Sequence, residues 1–312
     1  MRVAFVGLGN MGFPMAGHIA RAGFTTVVHN RTASTASRWV AEYAGRSAAT
    51  PAEAADGARV VCLCVGADDD VREVTLGPAG VLGALRPGAV IVDHTTTSAE
   101  LATEIAAKAA EVGVGFVDAP VSGGQAGAEA GRLSIMCGAE PEVLETARLV
   151  LETYGATITR MGPVGSGQLA KMVNQILVAS AIEGAAEAIN FAIAAGLDTD
   201  RVLEAVSGGA ASSWYLVNRG HTMVRDEFDF GFAVDWMHKD LRICLAEAAR
   251  RGIPVPLTTL AEADYQVAHD RGDGRLDASA VIRVRRAETP PTPTPAPTAA
   301  ASSEAPEPGT GA

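Results

Sequence analysis

The first dozen residues constrain this chain more than any other stretch. Arg2–Val6 is a short apolar run, Gly7-Leu8-Gly9-Asn10-Met11-Gly12 follows at once, and residues 13–22 have the periodicity of a helix. Strand, glycine turn and helix in that order admit few folds. Gly7 permits the tight turn, Gly9 lets phosphates approach the backbone, and Gly12 lets the helix pack on the strand. A pyrophosphate there meets free N–H groups and the positive end of the helix dipole. Glycine turns are common, so the spacing gains its weight from the strand before it and the helix after it.

The next strand, residues 25–29, ends in Asn30-Arg31-Thr32. A carboxylate here would accept from both ribose hydroxyls of NAD and repel a 2′-phosphate. Neutral Asn30 and the donor fork of Arg31 favour NADP; NAD is possible if Arg31 instead stacks on adenine or is solvated. The apolar run 60–65 reads as a central parallel strand buried on both faces. Val65 and the small residues after it border a cofactor crevice. Asp68, Asp69 and Asp70 read as the acidic first turn of a helix rather than as metal ligands. A strand at 89–93 delivers His94-Thr95-Thr96-Thr97-Ser98 to its carboxyl end, where hydroxyls either contact a cofactor or cap the helix starting near Ser98. Another strand, Gly115–Asp118, leads into Ser122-Gly123-Gly124. That loop exposes a hydroxyl and unhindered N–H groups to a substrate carboxylate, or it is an ordinary turn. Strands at 132–137 and 157–161 bracket a helix at 141–153. The alternation predicts a doubly wound, mostly parallel α/β sheet.

After residue 165 no strand-like run remains. A glycine loop from Gly162 opens a long Ala-rich helix, 168–195, that carries Lys171, Asn174 and Gln175. Spacings of three and four residues put all three on one helical face, as the wall of a site would require. Glu183, Glu187 and Asn190 lie among its small apolar residues, so the helix should be buried between domains or subunits. Further helices are expected at 199–206, from about 213, at 234–251 with Trp236, His238, Lys239 and Asp240, and from Pro254 to about 269. Trp214, Tyr215, Phe232 and Trp236 either close a pocket or pack in the core. The expected division is 1–162 for dinucleotide binding, 163–287 all-helical, and 288–312 a disordered tail rich in Pro, Ala and Thr.

The length of 312 residues allows two domains, and 48% hydrophobic with 5% aromatic residues implies a core of Ala, Val, Leu and Ile. A net charge of −11 supplies no basic stripe, so no nucleic-acid partner is expected. No His/Cys spacing fits a metal, and Cys62, Cys64, Cys137 and Cys244 read as free buried thiols of a reducing compartment. The N-terminus has no signal-peptide layout, and no apolar run is expected to reach membrane-spanning length. The expectation is a cytoplasmic protein without a membrane partner.

Four motifs, in order, resemble the β-hydroxyacid dehydrogenases, which include 3-hydroxyisobutyrate dehydrogenase and tartronate semialdehyde reductase, with 6-phosphogluconate dehydrogenase more distant. They are Gly7 to Gly12 with Phe13-Pro-Met15; Asp118-Ala-Pro-Val-Ser-Gly-Gly124; Gly162-Pro-Val-Gly-Ser-Gly-Gln-Leu-Ala-Lys171-Met-Val-Asn174; and Lys239-Asp240-Leu. The resemblance implies a Rossmann domain followed by an all-α domain, with the active site in the cleft between them. It implies Lys171 as the catalytic residue, Ser122, Gly123 and Gly124 on the substrate carboxylate, and Thr96 and Lys239 beside the nicotinamide. Asn174 and Gln175 match the family's amide positions. The family acts on small 3-hydroxy acids and forms homodimers or homotetramers through its helical domain.

The chemistry suits a lysine. Oxidising an alcohol removes a proton from oxygen while hydride leaves carbon, and burial lowers a lysine pKa toward neutrality because the ammonium is the costlier form in a dry site. Two alternatives keep the same fold: a non-catalytic NADP sensor, and an imine reductase-like enzyme, which typically has another residue in place of Lys171.

Overall fold

A computed structural model describes residues 1–288. The expected tail lies outside the described residues, apart from Glu288. The first half alternates strand and helix: β1 (Arg2–Val6), α1 (Gly12–Arg21), β2 (Thr25–His29), α2 (Ala33–Glu42), β3 (Arg46–Ser47), α3 (Pro51–Ala55), β4 (Val60–Leu63), α4 (Asp68–Leu76), β5 (Val90–Asp93), α5 (Ala99–Glu111) and β6 (Gly115–Asp118). It continues with β7 (Val121–Ser122), α6 (Gly124–Glu129), β8 (Leu133–Gly138), α7 (Pro141–Leu151) and β9 (Gly155–Gly162).

The nine strands form one sheet in the order β3-β2-β1-β4-β5-β6-β8-β7, with β9 paired to β8. Strands β1 to β6 pair in parallel, while β8 runs antiparallel to β6 and β7. Every residue of β4 and β5 is buried, as expected of strands covered on both faces. The order reverses direction at β1 and β4, which places a topological switch point beside the glycine turn. The two-residue strand β7 and the six-residue helix α6 after Gly123 are additions to the expected pattern. Both are too short to carry a periodic signal.

The second half is helical: α8 (Ser166–Ala194), α9 (Thr199–Ser207), α10 (Trp214–Arg225), α11 (Val234–Arg251), α12 (Pro256–Asp270) and α13 (Ile282–Glu288). Helix α12 begins at Pro256 rather than Pro254, because a proline is best placed in a helix's first turn, where its missing N–H is not needed. Its core gathers Ile182, Ala186 and Ile189 of α8 with Met223, Met237, Leu241 and Tyr265.

Two expectations need correction. Helix α8 is long and apolar enough to cross a membrane by length and composition, since small residues and Ile/Leu/Val outnumber its few charges. Even so, a buried lysine lies within it, and it packs on α10, α11 and α13. Its burial within the chain is also one-sided, with Val173, Leu177 and Phe191 59%, 66% and 71% exposed. Cys64 is only partly buried because it lies at the open end of β4; Cys62, Cys137 and Cys244 are buried, and all four thiols are free.

Candidate active site

The glycine turn divides its labour as the spacing predicts. Gly7 has φ +96°, and a Cβ there would run into the Cys64 carbonyl oxygen. A Cβ on Gly12 would strike the Gly7 oxygen and the Phe5 ring. A Cβ on Gly9 would meet nothing within 4 Å. Protein packing therefore does not require glycine at position 9, and the open space above it fits an approaching pyrophosphate. Asn30 Oδ1 accepts from Leu8 N–H at 2.8 Å, pinning the turn to the end of β2. Arg31 is extended into solvent, 93% exposed, with Asp70 of α4 at 3.6 Å. An exposed pair of that length contributes little, so Arg31 is at liberty to turn to an anion. Thr32 occupies the N-cap position of α2 without a capping bond from its side chain. Asn10 is exposed and Met11 half-buried at the same crevice.

The start of α8 is clamped to the carboxyl end of the sheet by Asp118, the last residue of β6. Its two oxygens accept from Gly165 N–H at 2.8 Å and Gln168 N–H at 2.9 Å. A carboxylate on the positive end of a helix is favourable. Burial nonetheless pushes the Asp118 carboxyl up to about 6. Gln168, fully buried, donates from Nε2 to Thr95 O at 2.7 Å and accepts on Oε1 from Thr97 N–H at 3.1 Å. These bonds fix α8 against the loop after β5. Within that loop Thr95 Oγ1 accepts from Val65 N–H, and Ser98 Oγ caps α5 through Leu101 N–H. Asp118 and Gln168 carry no role of their own that residue type alone reveals. The signal available was their position, one closing a strand and the other opening a helix, but their partners lie 47 to 73 residues away along the chain.

One turn further along α8, Lys171 is 8% exposed and donates from Nζ to Val121 O at 2.9 Å. Val121 precedes Ser122, Gly123 and Gly124. Gly123 has φ +128° and Gly124 φ +61°, conformations that favour glycine and leave the N-terminus of α6 open. Burial lowers the Lys171 pKa; the nearby Asp240 carboxylate opposes that shift and Lys239 reinforces it. Asn174 donates to Gln175 Oε1 at 2.7 Å, and Gln175 donates to Asp240 Oδ2 at 2.8 Å. The other Asp240 oxygen lies 3.2 Å from Lys239 Nζ, out of line for a hydrogen bond. Lys239 itself donates to Thr96 O at 2.6 Å and Gly66 O at 3.1 Å.

A polar cluster thus forms where β7, α8, α11 and the loops after β4 and β5 meet. It brings together Lys171, Asn174, Gln175 and Lys239 with the backbone of Thr96 and the neighbourhood of Ser122. It does not include Trp214. That ring, 54% exposed at the start of α10, packs edge-on against Tyr215 with the Arg219 guanidinium 4.9 Å above it. Among the described residues no cluster of His, Cys, Asp or Glu could hold a metal ion.

Comparison with known proteins agrees with this architecture. Residues 2–162 match the family described as the NAD binding domain of 6-phosphogluconate dehydrogenase. Residues 165–285 match the family described as NAD-binding of NADP-dependent 3-hydroxyisobutyrate dehydrogenase. An uncharacterized oxidoreductase of Shewanella frigidimarina is 48% identical over 281 residues, 90% of this chain and 97% of the relative. A probable mitochondrial 3-hydroxyisobutyrate dehydrogenase-like protein of Arabidopsis thaliana is 39% identical over 282 residues, 90% of this chain and 84% of the relative. The crystal structure of 3-hydroxyisobutyrate dehydrogenase from Salmonella typhimurium superposes with a TM-score of 0.84 at 30% identity, covering 91% of this chain and 99% of that one. With both halves matched in order, the chain belongs to the β-hydroxyacid dehydrogenase family of NAD(P)-dependent oxidoreductases.

Proposed function

We propose that the protein transfers hydride between a small 3-hydroxy acid and the nicotinamide of NADP, with Lys171 as general acid and base. The substrate class is that of 3-hydroxyisobutyrate, glycerate (with tartronate semialdehyde as its oxidised partner) and serine-like acids. The observation that carries the reading is the buried Lys171 amine, held on Val121 O beside the Ser122-Gly123-Gly124 loop. The nicotinamide, when bound, supplies the hydride acceptor. In the oxidative direction neutral Lys171 takes the hydroxyl proton as the C–H electron pair leaves carbon, and an aldehyde or ketone results. In reduction the Lys171 ammonium returns that proton to the developing alkoxide.

Ser122, Gly123 and Gly124 would hold the carboxylate through hydroxyl and N–H donors. Gln175 is engaged by Asp240, so Asn174 is the amide we assign to the substrate hydroxyl. Arg31 and neutral Asn30 support NADP over NAD. The exposed apolar face of α8 supports a homodimer or homotetramer, and we place the protein in the cytoplasm, with neither nucleic acid nor membrane as partner. The test is a spectrophotometric screen of small 3-hydroxy acids with NADP and NAD in parallel. Turnover of a 3-hydroxy acid supports the reading. Cofactor binding without turnover of any of them would favour a non-catalytic sensor, and turnover of imines alone would favour imine reduction.

A further inference from the structure

Helix α11 presents two distinct faces. His238 points to Glu262 of α12, with Nε2 3.1 Å from Oε1. Trp236 and Lys239, three residues apart, share the opposite face toward the sheet. Lys239 bonds the loops after β4 and β5, as described. Trp236 lies against the first of those loops: a Cβ built on Gly66 would be 3.5 Å from Trp236 Cη2, and Lys239 Nζ is 5.8 Å from the centre of the indole. Gly66 has no room for a side chain, since the Asp70 carboxylate crowds it from the other side. The indole therefore faces the carboxyl end of β4 at a point where no side chain intervenes.

Trp236 is nevertheless 46% exposed. A large aromatic ring left half in water has an unused apolar face. The sheet order says what lies beneath that face. Arg31 follows β2, on one side of β1; Gly66 and Thr96 follow β4 and β5, on the other. A dinucleotide seated with its pyrophosphate on the Gly7–Gly12 turn, and its adenosine toward Arg31, must send its other half toward Gly66 and Thr96. We propose that Trp236 is the helical domain's binding contact for the nicotinamide-ribose half of the cofactor, closing the crevice from above while Gly66 leaves space for the ring. This inference rests on the dinucleotide reading of the same cleft.

The chain has three tryptophans, Trp39, Trp214 and Trp236. Trp39 is fully buried, so in Trp214→Phe only Trp236 is accessible to a collisional quencher. Saturating NADP+ should lower acrylamide quenching of that variant at least about twofold, as expected when a half-exposed ring becomes covered. Titration calorimetry should show Trp236→Ala weakening NADP+ binding about tenfold, the size of one lost aromatic contact, with Trp236→Phe recovering most of it. Unchanged quenching, or a Trp236→Ala affinity equal to wild type, would overturn the inference while leaving the dinucleotide site intact. Absence of any binding heat for NADP+ and NAD+ in the wild-type protein would overturn both.

Discussion

Lys171 Nζ and the main-chain oxygen of Val121 are hydrogen-bonded at 2.9 Å, which ties α8 to the strand that delivers Ser122. The carbonyl accepts from the ammonium and from the neutral amine alike, so the bond holds the side chain in place through a proton-transfer cycle. If Lys171 is the general acid and base proposed above, replacing it by Ala removes the proton carrier and leaves the glycine turn untouched. The expected result is a loss of at least about 100-fold in kcat with cofactor affinity within about twofold of wild type. A variant that kept most of its turnover would remove Lys171 from the mechanism.

Asp240 is the carboxylate that opposes the effect of burial on Lys171. Its neutral isostere, Asp240→Asn, retains an oxygen for Gln175 and deletes the charge. The Lys171 pKa should then fall further. Oxidation needs the neutral amine, so the rising acid limb of kcat/KM against pH should move to lower pH in this variant. A limb that stayed in place, or moved toward base, would separate Asp240 from the titration of Lys171.

Arg31 stands 93% exposed at the end of β2 and makes only a loose pair with Asp70. If it recognises the 2′-phosphate, Arg31→Ala should raise KM for NADP about tenfold, in line with the loss of one charge-assisted contact, and change KM for NAD less than about twofold. Parallel initial-rate measurements decide this. Equal effects on the two cofactors would mean that Arg31 packs on the adenine they share.

How far the fold could be read from residue order depends on the range of each interaction. The glycine turn, the buried runs of β4 and β5, and the helical register of Lys171, Asn174 and Gln175 are local patterns of glycine placement and apolar periodicity. The two-residue strand β7 and the six-residue α6 are too short for periodicity to register. Asp118 looks like any strand-end carboxylate until Gly165 and Gln168, 47 and 50 residues later, arrive to be capped. Gln175 can be placed beside Lys171 from its spacing, but its partner Asp240, 65 residues away, is not marked by any local pattern. Trp214 and Trp236 are equivalent as aromatic residues in a sequence, yet only Trp236 lies against the sheet's loops.

Helix α8 exposes Val173 and Leu177 one turn apart, 59% and 66% accessible, while its opposite face is packed. Covering such side chains stabilises by roughly 1.5–3 kcal/mol each. If this face forms the proposed subunit interface, a Val173→Glu, Leu177→Glu double variant should shift the mass measured by light scattering from dimer or tetramer toward monomer without unfolding the protein. A wild-type monomer would remove the interface altogether, and an unchanged oligomer in the variant would place it elsewhere.

The last prediction concerns pH and stability. Asp93, fully enclosed at the end of β5, accepts on Oδ1 from Thr95 N–H at 2.9 Å, and burial pushes its carboxyl up to about 7. An unfolded chain returns it to the usual carboxylate range near about 3.9. Between those values the folded state binds more protons than the unfolded one, so the derivative of unfolding free energy with pH is negative for this group. Its contribution is fully present below the unfolded value and is lost as pH rises through the folded one. Asp118, raised to about 6, acts in the same sense. Asp93→Asn keeps an acceptor for Thr95 and cannot ionise. Relative to wild type, its Tm should gain as pH rises from about 4 to about 7, with the gain spread about evenly over the interval. Melting curves at matched ionic strength test this directly. A difference that is flat with pH would mean that the Asp93 carboxyl titrates alike in both states, and a difference of opposite slope would mean that the folded protein favours its charged form.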